Sequence, residues 1–296
     1  AALDEQFPET PHMGHVLRDL IKTDLALRRY SDADLMDLPL MTDPRKQAAM
    51  RIMADIMSSV YWGRPKLVPI LAFRMVQLTL RYGNHPVSCF AFGSYGVLMC
   101  GVLGAMRRGN RFGQLALDLL DKLDAKEWKA QIYVTAYTLI FHWNRHVRTT
   151  QRPLQQSFQI GMETGAVEFA CVNTNIYCIQ AFLCGVPLDQ IARETEAYSA
   201  QYLQLGQETN YNYNQVFHQA MLNLKGHSDD PLKLTGTVYN EDEMLAQNTD
   251  RSDKTGTFFI HFNKLVLATF FRQFHEGQKH AAKARDLLDA VLAKFE

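Results

Sequence analysis

The sequence is poor in cysteine, and the spacing of its cysteines excludes the common thiolate metal sites. There are five cysteines, an odd number, and no two of them form a C-x-x-C pair. They are Cys89, Cys100, Cys171, Cys178 and Cys184. All five lie in apolar stretches, which is typical of free, buried thiols in a reducing compartment. We therefore expect a cytoplasmic protein without disulfides.

The sequence also lacks an excess of charge of either sign. Its 31 lysines and arginines balance 31 aspartates and glutamates, whereas nucleic-acid binding calls for a basic face. One uncharged run, residues 87–105, approaches the length of a membrane span, but it contains four glycines, two serines and a tyrosine. We interpret this run as a buried helix, with a membrane span as the alternative. We expect neither a nucleic-acid partner nor membrane insertion.

The signatures of phosphoryl-transfer enzymes are missing as well. There is no G-x-x-x-x-G-K-[ST] phosphate loop and no H-R-D or D-F-G string of a protein kinase. His275 is followed by a glutamate, but the apolar, basic and proline residues of a phosphoacceptor motif do not follow. His142 and His146 are four residues apart, yet no further ligand accompanies them to complete a zinc site. We predict that the chain is not an enzyme and holds neither a cofactor nor a metal.

Strand signals are nearly absent, and helical periodicity takes their place. One apolar stripe recurs every three or four residues and consists of Phe112, Leu115, Ala116, Leu119, Leu120 and Leu123. Asp43 is a candidate N-cap, with Pro44 in the first turn of the helix that follows. Apolar helices alternate with more amphipathic ones at a period of about 40 residues, which indicates a helical-repeat array.

This pattern predicts an all-α fold, a right-handed superhelix of stacked antiparallel helix pairs resembling tetratricopeptide repeats of irregular length. We expect residues 1–296 to form a single helical-repeat domain, with residues 1–40 as an N-terminal helical lead-in. Residues 227–254 break the pattern because they are polar and contain Pro231, Gly236 and the acidic run at positions 241–243. They predict an irregular insertion that holds one short helix.

Three blocks of the sequence resemble the helical-repeat region of large bacterial multidomain sensor kinases. The blocks are residues 38–44 (LPLMTDP) with 49–52 (AMRI), residues 95–104 (YGVLMCGVLG) with 112–116 (FGQLA), and residues 263–265 (NKL) with the apolar run after them. In such kinases, a serine/threonine-kinase-like domain and a signal-transduction ATPase domain precede this region, and a GAF domain and a histidine kinase commonly follow. The resemblance implies a repeat architecture in a signalling context. It implies no catalytic residue, because the matching blocks are packing motifs.

Polar side chains recur on the first helices of the predicted pairs. The candidate partner-binding residues are Asn175, Asn214, Asn263, Tyr133, Tyr137, Tyr177, His218 and His261. One amide side chain offers both a donor and an acceptor to a peptide group, and in a tetratricopeptide superhelix the first helices line the concave groove. We therefore predict that this set binds a partner. The alternative is that these residues are solvated or buried structural residues, since the helix phase decides which way each one points.

The function predicted from these features is that of a regulatory interaction and sensing module inside a signal-transduction kinase. Its partner would be a protein, a peptide or a neighbouring domain, bound in a continuous, open, polar and aromatic groove. The alternative function is a sensor that binds a small molecule in a closed pocket between helices. The shape of the largest concavity distinguishes the two.

Overall fold

The structure is a computed structural model that describes residues 5–291, with the side chain of Trp62 excepted. Within this range the chain forms fifteen α-helices and several short 3₁₀ turns, and two isolated β-bridges are present without any strand. Consecutive helices pack against one another in pairs. The prediction of an all-α fold built from helix pairs is confirmed.

The chain divides into two compact units, residues 1–145 (unit 1) and residues 146–296 (unit 2). The expectation of a single repeat domain over residues 1–296 stays a prediction. The helices of unit 1 are α1 (Met13–Leu27), α2 (Asp32–Met36), α3 (Pro44–Asp55), α4 (Met57–Gly63), α5 (Val68–Tyr82), α6 (Pro86–Gly101), α7 (Met106–Lys122) and α8 (Lys129–Tyr133). A five-residue π-helix, Val134–Thr138, continues α8.

Helix α6 is the centre of unit 1, as the uncharged run predicted. It is apolar on all sides and is buried at Phe92, Tyr95 and Met99, among other residues. It lies close to α7. A Cβ atom added at Gly109 of α7 would stand 2.8 Å from the carbonyl oxygen of Gly96 in α6, which is too short for a side chain. Glycine is required there by the close approach of the two backbones. No helix within residues 5–291 is long and apolar enough to span a membrane.

The start of α3 shows how local sequence positions a helix. The Asp43 carboxylate accepts hydrogen bonds from the backbone N–H groups of Arg45 at 2.9 Å and Lys46 at 3.3 Å, and Pro44 occupies the first turn. These bonds satisfy amides that have no partner inside the helix. The predicted cap is confirmed.

The helices of unit 2 are α9 (Arg148–Thr164), α10 (Val167–Leu183), α11 (Leu188–Gln204), α12 (Glu208–Leu224), α13 (Glu241–Asp250), α14 (Lys254–Phe270) and α15 (Phe274–Arg285). Helix α9 begins five residues before Pro153, so this proline lies inside the helix, past its first turn. The additional turn is held by Thr150, whose buried hydroxyl bonds the carbonyl oxygen of Val147 at 2.7 Å and the side chain of Gln180 at 2.5 Å.

Between α12 and α13 the chain forms an irregular segment, residues 225–240, which contains no α-helix. The one helix inside the predicted insertion is α13, whose first turn contains the acidic run. Asn240 caps it by accepting hydrogen bonds from the amides of Asp242 and Glu243. Acidic residues suit this position because the first turn of a helix carries partial positive charge.

Candidate functional site

The structure places six of the eight candidate residues in the interior of unit 2. Asn175 is 3% exposed, Asn214 and Asn263 are 0% exposed, and Tyr177, His218 and His261 are also buried. The expected row of accessible amides along a groove is therefore corrected. These side chains face other parts of unit 2, because α10, α12 and α14 each pack against more than one neighbouring helix. Little of their surface is therefore left for solvent. Partner binding by these residues stays a prediction that the structure does not test.

The buried asparagines join neighbouring helices. The amide nitrogen of Asn214 on α12 donates to the carbonyl oxygen of Thr195 and to the hydroxyl of Ser199, both on α11 and both at 2.9 Å. Asn175 on α10 donates to the side-chain oxygen of Asn214 at 3.4 Å. Asn263 instead donates to the carbonyl oxygen of Phe259 in its own helix, at 2.9 Å. Buried amides need such partners, so the network links α10, α11 and α12.

The last turns of α12 bind the backbone of the irregular segment. Asn223 donates its amide protons to the carbonyl oxygens of Pro231 at 3.2 Å and Lys233 at 2.8 Å. Gln219 donates to the side-chain oxygen of Asn223 at 2.8 Å and accepts from the backbone N–H of Val238 at 3.4 Å. Amide side chains on this helix therefore do contact peptide groups, but Asn223 and Gln219 were not among the residues proposed from the sequence. The peptide groups belong to the chain itself.

A buried ion pair fastens the other end of this segment. Glu241, at the start of α13, accepts a hydrogen bond from the backbone N–H of Leu234 at 2.8 Å and one from the ammonium group of Lys264 at 2.6 Å. Both charged side chains are more than four-fifths buried. Breaking such a pair leaves an uncompensated charge in a poorly solvated place, so this contact holds the segment against α14.

A cleft of about 320 Å³ opens beside this ion pair. It is lined by Asp230, Leu232, Lys233, Glu241, Lys264, Ala268, Glu276 and His280. Its lining contains charges of both signs, and it opens to solvent. Candidates for small-ligand contact therefore come from the irregular segment, α13, α14 and α15, and none of them was among the residues proposed from the sequence.

His280 stands next to His261, which the sequence did single out. Their Nδ1 atoms are 3.2 Å apart, so one ring donates a hydrogen bond to the other. Burial and the nearby basic groups of His280, Lys283 and Lys264 lower the pKa of His261 to about 4. Burial, Lys264 and Lys283 likewise lower the pKa of His280 to about 4. Both imidazoles are therefore neutral at neutral pH. This agrees with their contact, because a neutral imidazole has one donor and one acceptor nitrogen.

Tyr133 and Tyr137 belong to unit 1 and lie apart from this set in the chain. Both are half-buried, and their rings pack edge to face with centroids 5.1 Å apart. Tyr137 packs in turn against Phe141 at 5.2 Å. Burial raises the pKa of each phenol. Tyr133 ends α8 and Tyr137 lies in the π-helix that follows, and their expected role in partner binding stays a prediction.

No group in the described part of the chain has the arrangement of a metal site. Residues 5–291 contain no cluster of three histidine, cysteine, aspartate or glutamate side chains that could hold an ion. Four of the five cysteines are buried, and burial raises the pKa of Cys89 and Cys178 to about 12 and of Cys100 and Cys171 to about 11. These four thiols are therefore protonated at neutral pH and are poor nucleophiles.

Comparison with known proteins finds similarity to a segment of a signalling kinase. No protein-family model matches it. It is similar to hybrid signal transduction histidine kinase G of Dictyostelium discoideum, with 26% identity over 202 residues. The alignment covers 67% of this chain but 6% of that kinase, so the chain spans a small part of the relative's length. The similarity agrees with the signal-transduction kinase context expected from the sequence blocks.

Proposed function

We propose that this chain is a non-catalytic regulatory interaction module of a multidomain signal-transduction kinase. The observation that carries the proposal is the similarity to a segment of a hybrid signal transduction histidine kinase. The all-helical pair architecture supports it, because stacked helix pairs present extended surfaces suited to partners. The protonated thiols, and the lack of a phosphate loop or kinase strings in the sequence, agree with a module that carries out no chemistry itself.

The partner, a protein or a neighbouring domain of the same kinase, would dock over the cleft of unit 2. This surface presents Lys233 and Glu276 on two different elements, the irregular segment and α15. Both belong to exposed ion pairs, Lys233 with Asp242 at 2.9 Å and Glu276 with Lys279 at 2.7 Å. Exposed pairs contribute little to folding, so these residues are free to serve specificity.

The proposal is tested in a full-length kinase that carries the chain. Lys233→Glu combined with Glu276→Lys should change the rate of autophosphorylation while the melting temperature of the isolated chain stays the same. The matched control is Lys126→Glu, an exposed lysine of unit 1 that pairs with Asp124 at 3.4 Å. Unchanged autophosphorylation in the double variant would reject the cleft as the regulatory surface. Stoichiometric ATP binding to the isolated chain, measured by calorimetry, would reject the non-catalytic assignment.

A small-molecule sensor is the second candidate, and the charged cleft favours it. The lining of this cleft of about 320 Å³ carries both acidic side chains (Asp230, Glu241, Glu276) and lysines (Lys233, Lys264), which suits a small ligand that carries both charges. A thermal-shift screen of free amino acids against the isolated chain tests this function. Stabilisation that is lost in Lys233→Glu would support it, and no shift at millimolar ligand would reject it.

A further inference from the structure

Helix α1 carries a row of apolar side chains that no described residue of unit 1 covers. Met13 is 74% exposed, Leu17 54%, Ile21 51% and Leu25 55%, and each is four residues from the next. Scattered exposed apolar residues are ordinary on protein surfaces. Four in succession along one helical row are different, because together they form a continuous ridge.

The ridge stands on a helix that is held firmly from its other side. Val16, Leu20 and Leu27 pack into the core of unit 1. Thr23 accepts a hydrogen bond from Gln77 of α5 at 2.8 Å, and Asp24 accepts one from Tyr95 of α6 at 3.2 Å. Asp24 also forms an ion pair with Arg108 of α7. The ridge is therefore preorganised, since no part of α1 has to fold before a partner can bind.

Basic side chains run alongside the ridge. Arg18 and Lys22 form the neighbouring row, each one position after a ridge residue, and Arg28 and Arg29 stand at the end of the helix. All four are exposed. The two acidic residues within α1 are already paired: Asp19 is buried and accepts a hydrogen bond from the guanidinium group of Arg18 at 3.2 Å, and Asp24 pairs with Arg28 and Arg108. Arg18 nevertheless stays well exposed, and Lys22 adds a second positive charge beside it. The outer face of the described helix is thus apolar along one row and positive along its edge.

The shape of the ridge favours another helix as its occupant. Residues four apart form the ridges of the commonest helix–helix packing, in which the ridge of one helix fills the groove of its partner. Such a row winds around the helix by about 40° at each step. From Met13 to Leu25 the row therefore turns through roughly 120° around the helix axis. A flat membrane surface would contact only part of such a row, whereas a helix that crosses α1 at an angle can pack along it.

Charge selects among helical partners. A second copy of α1 would bring Arg18 and Lys22 against the same residues of its partner, and like charges in contact oppose binding. A helix with an apolar row flanked by glutamates or aspartates complements both rows. We propose that the outer face of α1 is a docking surface for an acidic amphipathic helix of another protein or domain. This surface lies in unit 1, so it does not depend on the cleft of unit 2.

The test measures binding of synthetic peptides to the full 296-residue chain. The probe is a helical peptide of about 18 residues, five turns, with leucine at every fourth position and a neighbouring row of glutamates. A second peptide replaces the glutamates with lysines, and a third scrambles the first. We expect the acidic peptide to bind at least about tenfold more tightly than the other two.

Two variants separate the apolar and the charged contributions. Leu17→Ser with Ile21→Ser should weaken binding of the acidic peptide by roughly tenfold or more, since two apolar side chains that the bound peptide would cover are lost. Arg18→Glu with Lys22→Glu should reverse the preference, so that the lysine peptide binds better. The matched control is Leu203→Ser in unit 2, where a leucine of similar exposure, 57%, should be dispensable. Thermal melting confirms that each variant is folded, and Lys233→Glu in the cleft should leave peptide binding unchanged.

Several outcomes overturn the proposal. Equal affinity for the acidic and scrambled peptides would reject the charge argument. Binding of the chain to vesicles of phosphatidylserine, lost in the Leu17 and Ile21 variant, would assign the ridge to a membrane surface. A dimer in sedimentation that the same variant dissociates would assign it to a second copy.

Discussion

The two units of this protein are built from helices of the same kind but have different interiors. Among the described residues of unit 1, one amide side chain is buried, that of Asn84. Unit 2 buries ten: Asn173, Asn175, Gln180, Asn210, Asn214, Gln215, Gln219, Asn223, Asn248 and Asn263. Unit 1 is held mainly by apolar packing around α6, which has no directional requirement, with a smaller number of buried polar contacts such as that of Asn84 with the carbonyl oxygen of Leu35 at 2.9 Å. Unit 2 depends in addition on hydrogen bonds, which require particular distances and angles.

The difference teaches that polar residues on a repeat helix do not by themselves mark an accessible groove. The segment between α12 and α13 receives hydrogen bonds from Asn223 and Gln219, so part of the polar surface is satisfied within the chain. Unit 1 also pairs polar groups in its interior, such as Lys46 with Glu5 at 2.9 Å, and it exposes an apolar ridge on α1. In both units, therefore, residue type alone does not tell which positions a partner can reach.

The largest expected effect follows from removing an apolar anchor of unit 1. Phe92 is completely buried on α6 and packs near Phe112 of α7 with ring centroids 6.2 Å apart. Phe92→Ala should lower the free energy of unfolding by about 3–5 kcal/mol, because it removes apolar contacts and leaves a cavity. Hydrogen exchange measured by mass spectrometry should show the loss of protection in residues 86–122. Leu103→Ala, at an exposed position of the same unit, is the control and should change little.

Removing one amide from the interior of unit 2 should cost less, but more than an exposed polar substitution. Asn214→Ala leaves the Thr195 carbonyl and the Ser199 hydroxyl without their partner, at a cost of about 1–3 kcal/mol. Chemical denaturation measures this loss. Asn212→Ala, two residues earlier and less buried, is the matched control. Equal effects at the two positions would contradict the role assigned to the buried network.

The histidine pair predicts how stability depends on pH. His261 and His280 have pKa values near 4 in the folded protein, below the ordinary value of about 6.5 in an unfolded chain. Between these two values the unfolded state binds more protons than the folded state. The contribution of the neutral pair to the free energy of unfolding is therefore complete above pH 6.5 and declines as the pH falls towards 4. Melting temperatures between pH 7 and pH 5 should therefore decline less in the double variant His261→Gln/His280→Gln. Replacing the exposed His227 with glutamine should leave the slope as it is in the original chain.

The smallest effect is expected at a surface ion pair of unit 1. Arg111 contacts Asp32 at 2.6 Å, and both side chains are well exposed. Water and salt screen such a pair, so Arg111→Ala should change the free energy of unfolding by roughly 0.2–1 kcal/mol. Urea denaturation at low and high salt is the measurement. A loss above about 2 kcal/mol would mean that the surface of unit 1 contributes as much as a buried amide of unit 2.

The sequence by itself determined the helices, because their signals are local. The period of the apolar residues on α7, the cap at Asp43 and the uncharged run of α6 each depend on residues within a few turns. Tertiary structure decided the direction of Asn175, Asn214 and Asn263. Whether an amide faces solvent or another helix depends on which distant segment covers it. The same reason explains why Glu241, Lys264 and His280 were not predicted as site residues. They belong to elements that are separated in the chain and come together in one cleft, and no local sequence pattern indicates this.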